Sequence, residues 1–423
     1  MECYNASCLT PTTGTAPQTF AAALQFLAAT QCAISEGLIP DANVTNYETF
    51  DFIIVGAGTA GCVLANRLSA VSKWKILLIE AGGDAPIEAN IPGQDKGMFK
   101  TRYDWSYTTN NNGISNGGNI NASINWPRGK MMGGSSNLNA MIYMQGNNHD
   151  FQNWVDLGNP EWAVKEVRRC FKKAESYQNM ELLKNPNISN HYGQDGPLVL
   201  NTFNSTYRPI TNRLLSAWHE VGFKNVPDLN VANMLGSGIL TATAASGERQ
   251  SHNKAYLNPI LHRTNLKIIK NSLVTKVLIR RSSKKAYGVG VDRDSKKFTF
   301  RASNEVIISA GAVNSPQLLM LSGVGPKRHL RSKNISVIVD SPMVGQNLQD
   351  HCTIPVIIYG DEPGEQNQAD QQFSVLQYLY NRTGILAQNS FADVVAFFSD
   401  NPNATYPEFQ THFSLLYRNS SNI

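Results

Sequence analysis

Phe52-Ile53-Ile54-Val55-Gly56-Ala57-Gly58-Thr59-Ala60-Gly61 is the stretch on which the fold turns. Its first four residues form a continuous apolar run of strand length, the pattern of a parallel strand covered on both faces. Three glycines follow at once in GxGxxG spacing. Ala60, Val63, Leu64, Arg67 and Leu68 then recur at helical spacing, and residues 75–79 supply a second apolar strand that ends in Glu80. Strand, glycine turn, helix and strand within about thirty residues make a βαβ unit. The turn suits an anion: Gly56 permits the tight bend, Gly58 lets backbone N–H groups approach a pyrophosphate, and Gly61 allows close contact of strand and helix. The helix N-terminus adds partial positive charge. Glu80, nineteen residues after Gly61, stands where a carboxylate accepts hydrogen bonds from ribose hydroxyls and repels a 2′-phosphate. The competing reading is an ordinary glycine turn in an α/β core with Glu80 solvated.

Around this unit lies a chain of 423 residues, long enough for two or three domains at about 150 residues each. Hydrophobic residues make up 42% and charged residues 16%, the latter against about 25% in an average soluble protein, which excludes a disordered polyelectrolyte. The net charge of +5 is spread without any long Lys/Arg run, so nucleic acid is not expected as a partner. The longest apolar segment, 20–29, falls short of the roughly 18 residues that a membrane span needs. It reads instead as a short helix within an N-terminal tail covering 1–50. Cys3, Cys8, Cys32, Cys62, Cys170 and Cys352 show no CxxC pair and no metal-ligand spacing, although Cys3 and Cys8 suit a disulfide in an oxidising compartment. Asn-X-Ser/Thr sequons at Asn5, Asn43, Asn121, Asn187, Asn204, Asn334, Asn381, Asn403 and Asn419 point toward a secreted glycoprotein, without a clear signal peptide.

Further along, residues 84–150 are dense in Gly and Asn and read as long loops. Residues 156–175 suggest a helix, 266–279 followed by 287–300 an antiparallel sheet, and 306–308 a buried strand. The last 70 residues combine a helix at 373–380 with strands at 394–398 and 410–416. Arg128-Gly129-Lys130-Met131-Met132-Gly133-Gly134-Ser135-Ser136-Asn137-Leu138-Asn139 is a second glycine-rich loop, able to turn several N–H groups toward one ligand edge. Val306 to Gly325 reads locally as strand, turn and helix, with Ser315 as cap, Pro316 at the first helical position and Gly323 at the end.

In this order the three elements resemble the glucose-methanol-choline (GMC) family of FAD-dependent oxidoreductases, and within it the insect glucose dehydrogenase branch. GKMMGGSSNLNAMIY at Gly129 to Tyr143 is similar to one diagnostic motif and GAVNSPQLLMLSGVG at Gly311 to Gly325 to the other. The resemblance implies an α/β fold: a Rossmann-like FAD-binding domain with an antiparallel sheet insertion over 51–351, then the beginning of an α+β substrate-binding domain over 352–423. It makes FAD the cofactor, with Gly56, Gly58, Thr59, Ala60 and Gly61 at the pyrophosphate and Glu80 on the adenosine ribose. Val274 would offer its backbone to adenine. Gly134, Ser135, Asn139, Ala140 and Ile142 would lie along the ribityl chain and isoalloxazine, with His351 near the flavin. No metal is called for.

The implied reaction moves a hydride from a CH–OH group of a sugar or alcohol to flavin N5, with a quinone or oxygen as electron acceptor. Such a step needs a base for the hydroxyl proton, and a histidine near neutral pKa is the usual choice. The family places that histidine in its C-terminal part, and none of His149, His191, His219, His252, His262, His329, His351 and His412 lies in its motif. The expectation is therefore a truncated form with weak or absent catalysis and no assignable catalytic residue. Gln145, where the family often has Arg, and Gln250-Ser251-His252-Asn253, where a Ser-Thr pair is usual, are smaller departures. A secreted, inactive flavin-binding pseudoenzyme is the alternative, and an NAD-linked dehydrogenase built on the same βαβ unit leaves the second glycine loop unexplained.

Overall fold

Strand β1, Thr49–Val55, runs into the glycine turn and helix α1, Thr59–Ser69, and the chain returns as β2, Ile76–Ile79. β1 and β2 pair in parallel, and Ile53, Ile54, Ile76, Leu77 and Leu78 are completely buried, as the apolar runs require. The computed structural model describes residues 38–203, 208–231, 234–358, 368–389, 391–401 and 403–414. The helix expected at 20–29, the Cys3–Cys8 pair, Cys32 and the sequons at Asn5, Asn204 and Asn419 lie outside them.

The sheet grows on both sides of β1. β3, Leu266–Ile269, adds in parallel to β2, and beyond it come β4, Ser272–Ile279, β5, Ala286–Arg293, and β6, Lys296–Ile308. The strand order is β3-β2-β1-β6-β5-β4. β6 is the joint between two patterns: residues 296–301 pair antiparallel with β5, while residues 301–308 pair parallel with β1. Helix α2, Gly311–Leu321, follows it. The fold is thus α/β, with a Rossmann-like parallel half and an antiparallel extension. Among the described residues no helix is long and apolar enough to cross a membrane.

Four local expectations are corrected. Residues 266–279 are not one antiparallel strand: Asn271, at φ 49°, turns the chain, and Leu266–Ile269 becomes a fourth parallel strand. Of the helix region 156–175 only Val164–Ala174 is α-helical; a separate helix, Asn148–Asp156, ends where the region begins, and Gly158 at φ 97° and Pro160 lie between the two. The inner face of α1 is made of Gly61, Cys62, Ala65 and Ser69, with Ala60 and Arg67 exposed. Small residues there let the helix lie close to the sheet while Val63, Leu64 and Leu68 pack on the core from its flanks. Finally, α2 begins at Gly311, so Ser315 is inside it and caps nothing, and Pro316 sits in its interior. Gly323, at φ 89°, does end it.

The loops expected over 84–150 hold only short 3-10 turns and two-residue strands before Asn148, among them the hairpin of Tyr107–Thr108 with Asn125–Trp126. Near the C-terminal end, helix Gln368–Asn381 and strands Phe391–Phe398 and Phe409–Ser414 match the pattern read from the sequence. Phe391–Phe398 also pairs antiparallel with Gly236–Ile239, which sequence periodicity did not reveal. Gly236, Ser237 and Gly238 are three of that strand's four residues, and such residues carry no β signal.

Leu78 lies at the centre of β2 with no exposed surface, so Leu78→Ala removes its packing and leaves a cavity. The expected loss is about 3 kcal/mol, read as a lower urea midpoint with an unchanged m-value.

Candidate functional site

The carboxyl ends of β1, β2 and β6 open into a cavity of about 720 Å³, where ligands of open α/β sheets are expected to bind. Backbone dominates its floor. Gly56, at φ 98°, brings the chain so close to β6 that a Cβ would lie 2.5 Å from the Ser309 carbonyl oxygen. A Cβ on Gly61 would lie 1.9 Å from the Gly56 carbonyl oxygen, so strand end and helix touch backbone to backbone. Ser309 Oγ stands between the Val55 and Gly56 carbonyls, at 3.0 and 2.9 Å, and closes the same turn from β6.

The second glycine loop lies directly on the first. Gly133 N–H donates to the Ala57 carbonyl at 2.8 Å, and a Cβ on Gly134 would lie 2.8 Å from Gly58 Cα. Gly129 N–H donates to Ser135 Oγ at 3.1 Å. Two helices start at this cavity. α1 begins after Gly58 and α2 after Ala310; neither has a side-chain cap or an acid in its first turn, and Thr59, Ala60 and Gly311–Asn314 line the wall. Two uncapped N-termini facing one space favour an anionic ligand.

Glu80 is 6% exposed at the edge of this cavity. Its Oε2 accepts from Ala57 N–H at 2.9 Å and its Oε1 from Gly82 N–H at 3.0 Å. Burial pushes the carboxyl up to about 7, against the pull of these donors and of Lys130. Each oxygen keeps a lone pair for a ligand hydroxyl. Trp105 and Tyr107 line the same cavity, stacked with 5.9 Å between ring centroids, and Tyr107 OH donates to Asn314 Oδ1 at 2.8 Å.

Gly56, Gly58, Thr59, Ala60, Glu80, Gly134, Ser135 and Val274 therefore share one cavity wall. Gly61 stands behind it, in the close contact just described. Asn139 and Ile142 line a second cavity of about 660 Å³, which shares Thr59 with the first. Ala140 lines neither; its carbonyl accepts from Asn389 Nδ2 at 3.0 Å. His351 is exposed and also lines neither, its N–H donating to the Asp350 carboxylate. Sequence reasoning missed Trp105, Tyr107, Arg128 and the start of α2 as wall residues. Ser309-Ala310-Gly311, small residues between a strand and a helix, was the available signal for the last of these. His252 lines the second cavity, stacked on Tyr256 with its Nδ1 buried and without a hydrogen-bond partner among the described residues, and burial pushes its pKa down to about 4.

A family model described as GMC oxidoreductase matches residues 50–353. The chain is 39% identical to ecdysone oxidase of Bombyx mori over 411 residues, covering 97% of this chain and 60% of that protein. To glucose dehydrogenase [FAD, quinone] of Drosophila melanogaster it is 37% identical over 375 residues, covering 87% of this chain and 58% of the relative. The chain thus spans about 60% of the length of these curated relatives. Among solved structures, that of formate oxidase superposes with a TM-score of 0.74 at 28% identity, covering 84% of this chain and 62% of the other.

The glycine contacts are testable directly. Gly61→Ala forces its methyl into the Gly56 carbonyl and is expected to cost about 3 kcal/mol, the upper end for overpacking. Gly117→Ala, with nothing within 4 Å of the added carbon, is expected to change stability by less than about 0.5 kcal/mol in the same denaturant titration.

Proposed function

The chain belongs to the GMC oxidoreductase family, and from that premise we propose that it binds FAD and serves the oxidation of a CH–OH group of a sugar or alcohol. The observation that carries the reading is the single cavity in which two glycine loops, two uncapped helix N-termini and the Glu80 carboxylate converge. A volume of about 720 Å³ lies within the range of about 300–1,000 Å³ usual for cofactor sites. The residues fit the group: N–H donors at Thr59, Ala60 and Gly311–Asn314 suit a pyrophosphate, and Glu80 suits ribose hydroxyls. In this reading Val274 is the backbone contact to adenine, and Gly134 and Ser135 lead toward Asn139 and Ile142 at the flavin end, with Ala140 between them lining neither cavity. The second glycine loop favours FAD over a nicotinamide dinucleotide, whose binding leaves that loop without a task.

FAD, when bound, supplies the hydride acceptor. The protein's own contribution is to hold the diphosphate by main-chain donors and to keep water out of a largely apolar pocket. We assign a quinone or oxygen as final acceptor, a secreted glycoprotein as the setting, and a division into 51–351 for the cofactor and 352–423 for the start of the substrate domain. The family match over 50–353 supports that boundary. A second reading, a flavin-binding protein without catalysis, is favoured by His252: a ring whose proton affinity burial has lowered so far is a poor base for an alcohol. Mixing the purified chain with FAD tests the first reading: it requires a bound chromophore with a visible band that bleaches anaerobically on adding a sugar or alcohol. A band that no alcohol bleaches supports the second reading, and colourless protein removes both.

Glu80 makes nucleotide binding pH-dependent. Ribose hydroxyls donate to the ionised carboxylate, so binding lowers a pKa that starts at about 7 and expels a proton as pH falls through that value. The affinity for ADP, read by calorimetry, is expected to fall up to about tenfold from pH 8 to pH 6, and Glu80→Gln is expected to bind weakly with a flat profile.

A further inference from the structure

Arg249 is 1% exposed, and its side chain ends among oxygen acceptors of irregular backbone. Nε donates to the Ala89 carbonyl at 2.7 Å. Nη1 donates to the carbonyls of Ser136 and Asn139, at 3.2 and 2.7 Å, and to Asn139 Oδ1 at 2.7 Å. Asp95 is the carboxylate that faces it electrostatically. The guanidinium thus ties the loop 134–139 to the short turn Ile87–Asn90, two segments that share no strand ladder.

The contact with Asn139 has chemical polarity. A guanidinium only donates, so the amide atom facing it is oxygen, and Met141 N–H donates to that same Oδ1 at 3.2 Å. The amide nitrogen is then turned the other way. Asn139 is exposed and lines the 660 Å³ cavity, and Nδ2 has no acceptor among the described residues. The turn that follows is held in an uncommon conformation: Met141, completely buried, sits at φ 61°, and its carbonyl accepts from Thr243 N–H at 2.8 Å. Strain of this kind persists only where surrounding contacts impose it.

We propose that Arg249 is a positioning residue that locks the Asn139 amide so that its NH2 group donates into the second cavity, toward an acceptor edge such as the carbonyls and ring nitrogens of an isoalloxazine. This rests on the FAD reading above and names the part of the site that discriminates the flavin end from the nucleotide end. A fork of fixed N–H donors is required, so the charge alone does not suffice.

The test compares affinities for FAD and for ADP, which lacks the flavin end, in the full chain and in Asn139→Ala, Asn139→Asp, Arg249→Lys and Arg249→Lys/Asn139→Ala. FAD affinity is expected to fall about tenfold in each single variant with ADP affinity unchanged, and the double variant is expected to fall no further than either single one. Asn139→Asp keeps an acceptor for Arg249 but removes the donor, so it decides the matter if Arg249→Lys does not fold. Wild-type affinity for FAD in Asn139→Asp, restoration by Lys at 249, multiplying losses in the double variant, or equal losses for FAD and ADP would each overturn the proposal. Wild-type protein that binds neither ligand would instead remove the reading beneath it.

Discussion

The close approach of two backbones at Gly58 and Gly134 is the constraint on which the rest of the site depends. With a Cβ on Gly134 that contact would close to 2.8 Å, and the loop 128–139 would have to lift away from the turn that follows β1. The Gly133 N–H to Ala57 carbonyl bond would go with it. The segment that follows, from Ser135 onward, starts from this contact. A glycine in the turn is therefore tied to a glycine in a segment some seventy residues away, a coupling that neither motif displays alone.

Main-chain donors then set the chemistry. A parallel sheet ends all its strands at one edge, and the two helices leaving that edge direct their free N–H groups into the same space. Neither α1 nor α2 carries an acid in its first turn. Glu80, at the edge of the same cavity, accepts from the Ala57 and Gly82 N–H groups and so stiffens the cradle, one N–H to each oxygen.

What the sequence revealed follows from which interactions are local. β1, α1, β2 and the acid at 80 were legible because a strand, a glycine turn and a helix leave marks within a few residues of one another. The start of α2 was misplaced by five residues because Pro316 looks like a first helical position. In the structure the turn out of β6 sets the start, and the proline costs only one pairing within the helix. β3 was read into its neighbour because Lys270-Asn271 carries no glycine, yet Asn271 reaches positive φ by itself. The walls contributed by Trp105, Tyr107 and Arg128 were invisible for another reason: loop side chains are placed by distant partners, here Asn314 for Tyr107, and no periodicity encodes that.

Two buried charges stand on either side of the cradle, and both are satisfied mainly by backbone. Glu80 collects N–H groups and Arg249 collects carbonyls, the complementary halves of the peptide unit. Residues 81–91 and 133–139 have hardly any strand ladder or long helix to pair their polar groups, and a loop buried without partners would be costly. An ionised side chain offers several strong hydrogen bonds from one point, so Glu80 fixes two peptide groups and Arg249 three that regular structure leaves unpaired. The same device accounts for the precision of a site built on loops. Where a sheet would hold a ligand by repetition, this chain holds it by two fixed points of opposite sign. The geometry of Ala57 on one side and Asn139 on the other follows from where those charges were buried.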